Sequence, residues 1–96
     1  KIRGNIPGVD ESKVAKVLDE SGVDYIHLDA MKPGFNSADL KLVNRVSKMI
    51  ERAALIGNNS IRDLESARRM LKAGADGISI ARAAMNGKLP FNLSLL

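Results

Sequence analysis

Lys1, Arg3, His27 and Asp29 stand at alternating positions of two short apolar stretches, KIRG (1–4) and DYIHLDA (24–30). His27 is the only histidine in the chain. Side chains alternate along a strand, so Tyr25, His27 and Asp29 share one side, and Ile26 and Leu28 the other. Lys1 and Arg3 likewise share a side opposite Ile2. Two cations, an imidazole and a carboxylate on one sheet face can hold and polarise a ligand. They can also neutralise one another, for instance as an Arg3–Asp29 pair across neighbouring strands.

A second constellation follows the third apolar run directly: Gly57-Asn58-Asn59-Ser60. Gly and Asn tolerate left-handed backbone angles, so this loop can turn its N–H groups toward an anion. The last run ends at Ala81-Arg82, and residues 83–86 read as a short helix whose N-terminus would add donors. Arg82 brings a full charge and a forked donor set. Together the two loops read as a phosphate grip. The plainer alternative is a Gly-Asn turn and a surface arginine.

Other chemistries are excluded or weakly supported within this segment. It has no cysteine, hence no disulfide, thiolate metal site or cysteine nucleophile, which fits a cytoplasmic protein. No cluster with metal-ligand spacing is visible. Two Phe, one Tyr and no Trp make no stacking platform for single-stranded RNA. The net charge of +4 tolerates nucleic acid or phosphate without demanding either. Arg68 and Arg69 fall on a solvated helix face, and Met49, Met70 and Met85 read as core filler.

Three helices must position these groups. Asp10 caps one with Val14, Val17 and Leu18 inward, ended by Gly22. Asn36 or Ser37 caps a second with Leu40, Val43, Val46 and Ile50 on one face. Asp63 caps a third with Leu64, Ala67 and Leu71 inward and Gly74 as its stop. After each comes an apolar run of strand length, 24–30, 53–58 and 76–81, and KIRG looks like the end of a fourth strand. Alternating strands and helices imply a parallel sheet. GVDYIHLDA (22–30) and GADGISIAR (74–82) repeat one pattern, which favours a (β/α) barrel over an open sheet. The units from Leu28 to Leu55 to Ile80 are shorter than the roughly 31 residues of a typical barrel unit. The 96 residues allow at most one domain, and about half a barrel. Four strands cannot close, so either an N-terminal half-barrel completes them or a second copy does. The start at Lys1 suggests a piece of something longer. No signal peptide is visible, and no apolar run approaches the roughly 20 residues of a membrane helix.

At this point KIR (1–3), IH (26–27), IGNNSI (56–61), RDLESARRMLKAGADGI (62–78) and SIARAAMNGKLPF (79–91) resemble, in order, the second half of the tRNA-dihydrouridine synthases. Those are FMN-dependent barrels related to dihydroorotate dehydrogenases. The resemblance implies an α/β fold, with residues 1–96 as the C-terminal half of a (β/α)8 TIM barrel, from near the end of strand five through strand eight and a short helix. It implies that Lys1 and His27 contact the flavin ring, with Arg3 as the second basic residue of the Lys1 element. Asn58, Asn59, Ser60, Ala81 and Arg82 would hold the FMN phosphate. The implied reaction is hydride transfer between FMN and a C=C bond of a pyrimidine in tRNA, with NADPH or NADH reducing the flavin and the base turned out of its stack. The family's general acid, a cysteine, would lie upstream. The chain departs from the family pattern at Asn59 and Ala81, usually Gly, at Ser60, usually an acid, and at Leu28-Asp29, usually Gly-Arg. The rival readings are a non-redox phosphate-binding lyase or isomerase barrel, and a non-catalytic, self-associating half-barrel.

Overall fold

A computed structural model describes residues 1–96. The elements are β1 (Ile2–Arg3), α1 (Glu11–Glu20), β2 (Tyr25–Asp29), α2 (Leu40–Met49), β3 (Ala54–Asn58), α3 (Leu64–Ala73) and β4 (Gly77–Ser79), followed by short 3-10 turns at Arg82–Ala84 and Leu93–Leu95. The four strands form one parallel sheet in the order β1-β2-β3-β4. This α/β architecture of parallel strands alternating with helices matches part of a TIM barrel. No helix is long and apolar enough to cross a membrane.

The core lies between the sheet and the helices. Ile26, Leu28 and Leu55 point to that side, and Leu42, Val43, Val46, Ala67 and Met70 meet them. Gly57 sits at the same level, and a methyl group there would fall 2.6 Å from Met70 Cγ and 3.2 Å from the Ala75 methyl. The strand therefore leaves room for α3 by omitting a side chain.

Caps fix where the helices start. Asp10 accepts the N–H groups of Ser12 and Lys13 at 3.1 and 3.3 Å. Asp63 and Ser66 form a reciprocal capping box. The α2 cap is Asp39, which accepts from Leu42 N at 3.1 Å, and not the expected Asn36 or Ser37. Those two lie in the exposed loop before it.

Helix α1 keeps only Leu18 of the expected face against the core. Val14 and Val17 are 38% and 62% exposed, and the buried stripe is Glu11, Ala15 and Asp19, spaced by four. Polar anchors set that rotation. Asp19 accepts the N–H groups of Glu51, Arg52 and Ala53 at 2.8, 3.0 and 2.7 Å. Glu11 accepts Asn5 N–H at 2.6 Å. A carboxylate facing inward at each end of the helix turns the valines outward. Met49 and Met85 are also exposed, so only Met70 of the three fills the core.

The N–H of Ala53 first, then that of Glu51, hold the Asp19 carboxyl below its ordinary value, against the upward pull of burial. A depressed carboxyl contributes stability that is present above its ordinary pKa and lost as pH falls through the lowered one. Asp19→Ala should therefore lower the urea midpoint at neutral pH, with the gap to wild type narrowing in acid. Leu55→Ala should cost about 2–5 kcal/mol, and Val17→Ala should stay within about 0.5 kcal/mol. Equal losses at 17 and 55 in equilibrium unfolding would restore the face expected from sequence.

Candidate functional site

Parallel register sets the carboxyl rim. Arg3 stands opposite Asp29, Asp29 opposite Asn58, and Asn58 opposite Ser79. One level down, His27 stands opposite Ile56, and Ile56 opposite Gly77. Ile2 is opposite Leu28, which puts Lys1 at the level of His27. Apart from Ile2 and Leu28, which face the core, these positions lie on the sheet face turned away from the helices. Lys1 and Arg3 are exposed, and His27, Asp29 and Asn58 are half-buried. Tyr25, lower on the same face, is 71% exposed.

His27 Nε2 is buried with no hydrogen-bond partner. Burial first, and the Lys1 charge second, push the imidazole below its ordinary value, while Asp29 pulls the other way. The ring is therefore neutral at pH 7. A buried polar atom without a partner is costly unless a ligand meets it.

The Arg3–Asp29 pair of the alternative reading is not formed. Arg3 Nη2 lies 3.1 Å from Met31 Sδ, and the chain's one ion pair is the exposed Arg69–Glu65 contact at 2.5 Å. Asp29 instead accepts from Asn59 Nδ2 at 3.0 Å.

The loop after β3 has two successive left-handed residues, Asn59 at φ 107° and Ser60 at φ 57°. Ser60 Oγ donates to Asn59 Oδ1 at 2.7 Å. The backbone N–H groups of Asn59, Ser60, Ile61, Ile80 and Ala81 have no acceptor in the chain. Asn58 Nδ2 donates to the Ser79 carbonyl at 3.3 Å, tying the third strand end to the fourth. Arg82 follows three residues later, exposed, its side chain without a hydrogen bond or ion pair. The short helix expected over 83–86 is instead one 3-10 turn at Arg82–Ala84. One turn has too few aligned peptides for a useful dipole, so the cationic contribution there is the Arg82 side chain. Ala81, just before it, is exposed.

Two bracing contacts went unseen in the sequence. Asn5, itself left-handed at φ 58°, donates through Nδ2 to the Met31 carbonyl at 2.6 Å and to Asp39 Oδ2 at 3.1 Å. It thereby locks the loop after β1 to the loop after β2. Burial works upward on the Asp39 carboxyl, but the Leu42 N–H and the Asn5 amide outweigh it and hold the group low. Arg62 donates to the Asn36 carbonyl, joining the loops after β2 and β3. The Gly4-Asn5 pair was a readable turn signal, whereas no local pattern announces either long-range contact.

In comparison with known proteins, residues 9–91 match the family model described as Dihydrouridine synthase (Dus). That range contains His27, Asn58, Asn59, Ser60, Ala81 and Arg82, with Lys1 and Arg3 just outside it. An uncharacterized protein of Methanocaldococcus jannaschii is 35% identical over 66 residues, 69% of this chain and 25% of that protein. The chain thus spans about a quarter of the length of the curated relative it matches.

Because His27 is the only histidine, its titration can be followed as a single imidazole signal by NMR. It should titrate below the ordinary value of about 6.5. Lys1→Met should move it up, by removing a repelling cation, and Asp29→Asn should move it further down. Shifts of the opposite sign would contradict this placement of the charges.

Proposed function

The chain belongs to the dihydrouridine synthase family, and from that premise we propose that residues 1–96 are a partial domain, the C-terminal half of a barrel, that binds FMN in an oxidoreductase reducing uridine in tRNA. The observation that carries the proposal is the pair of neighbouring strand-end loops. Their N–H groups at 59–61 and 80–81 lack acceptors, and the Asn58–Ser79 bond holds them together. Free donors with an unpaired arginine suit an anionic tail.

The inner face also fits the rest of such a cofactor. His27 presents a buried Nε2 in need of a partner, with Lys1 at the same level. Gly77 leaves the neighbouring position without a side chain, where a methyl would sit 3.1 Å from Ile56 Cδ1. In this reading Asn58, Asn59, Ser60, Ala81 and Arg82 hold the phosphate, and Lys1, Arg3 and His27 face the ring. A bound flavin would supply hydride transfer to a pyrimidine C=C bond, with NADPH or NADH as its reductant. The cation at Lys1 would stabilise negative charge on the ring, and neutral His27 would donate or accept a hydrogen bond without adding charge. A general acid and the tRNA contacts would come from the remainder of the protein, so the 96 residues alone should show no turnover.

The test is made on the full-length protein that carries this segment. It should purify yellow and release FMN on denaturation. Arg82→Ala should weaken FMN binding about tenfold or more, as expected for losing a charged hydrogen-bond donor. A colourless protein that binds sugar phosphates would point instead to non-redox chemistry.

A further inference from the structure

Asp29 is a carboxylate within one strand spacing of the proposed anion site. Charge alone makes it a poor neighbour for a phosphate. It is half-buried, stands between Arg3 and Asn58 in the top row, and makes no ion pair. Its one side-chain bond goes to the amide of Asn59, at 3.0 Å.

Both ends of that amide are engaged. Its Nδ2 donates to Asp29 and its Oδ1 accepts from Ser60 Oγ at 2.7 Å. The backbone at the same two residues is left-handed, φ 107° and 57°, and their N–H groups remain free. Residues with a Cβ adopt such angles uncommonly, Asn more readily than Ser, so a side-chain bond that favours them bears on the loop's form. Neighbouring strand and loop bonds fix Asn58, which donates to the Ser79 carbonyl. The side-chain bond found at Asn59 that reaches another element is the one to Asp29.

We propose that Asp29 is a positioning residue: through Asn59 it holds the 59–60 backbone in the left-handed form that presents its N–H groups to the cofactor's phosphate. This rests on the FMN reading above and adds to it a group that would not touch the cofactor. Asp29 is needed as an acceptor, and its charge is incidental.

The measurement is the affinity of the full-length protein for FMN and for riboflavin, which shares the ring and lacks the phosphate. Asp29→Ala should weaken FMN about tenfold, the scale of one hydrogen bond, and leave riboflavin unchanged. Asp29→Asn, which keeps an oxygen in place, should restore FMN binding to within about twofold. In an Asn59→Gly background, where glycine takes the left-handed angle freely, the further loss caused by Asp29→Ala should vanish. Asn59→Ala should reproduce the phosphate-specific loss, and serves if Asp29→Ala does not fold. Equal losses for both flavins, or an undiminished Asp29→Ala effect in the Asn59→Gly background, would overturn the positioning role and leave the FMN reading standing. A wild-type protein that binds neither flavin would overturn both.

Discussion

The constraint on which the site depends is the in-register parallel pairing of β2 with β3. It matches five residues of each strand, Tyr25 with Ala54 through Asp29 with Asn58. A slip of one residue would send His27 and Asp29 to the helix side and bring Ile26 and Leu28 into water. The core forbids that, because Ile26, Leu28 and Leu55 are almost fully buried beneath α2 and α3. Apolar burial on one face thus determines which polar groups share the other, and at what level.

That dependence explains how much was readable in advance. Alternation in DYIHLDA and the Asp and Gly punctuation of α3 are local patterns, and both strand faces and the Asp63 cap follow from them. Helix α1 is different. Its valines outrank Ala15 on any apolar count, yet Glu11 turns inward to the N–H of nearby Asn5 and Asp19 to three N–H groups more than thirty residues on. Periodicity scores carboxylates as solvent-facing, and three backbone donors outweigh that preference here. The Asn36 or Ser37 cap misled for a related reason. Residues 36–38 continue the loop, and Asp39 is the carboxylate that Asn5 and Leu42 can both reach.

The candidate site shows the same division. The Gly-Asn-Asn-Ser turn and Arg82 could be picked out from residue types. The bond between Asp29 and Asn59, thirty positions apart, could not. The resemblance read from the sequence implies Arg and Gly at these two positions. Taken singly, each reads as a loss. In the fold the two substitutions touch, so the carboxylate that would repel an anion is occupied by the amide that takes glycine's place.

The uncovered face of the sheet points the same way as the site chemistry. Parallel sheets are ordinarily covered on both sides, and here only one side carries helices. The other exposes Tyr25 and the Lys1–His27 level, while β1 and β4 each have a single hydrogen-bonded neighbour. A polar inner face with a buried, unpartnered imidazole nitrogen is poorly suited to plain packing against another apolar layer. It is well suited to a barrel wall that is apolar on its outer side, under the helices, and polar on its inner side at the carboxyl rim, where a ligand would supply the missing partners. Closing such a barrel would pair both strand edges and leave open only the rim that Asn58, Asn59 and Arg82 already define.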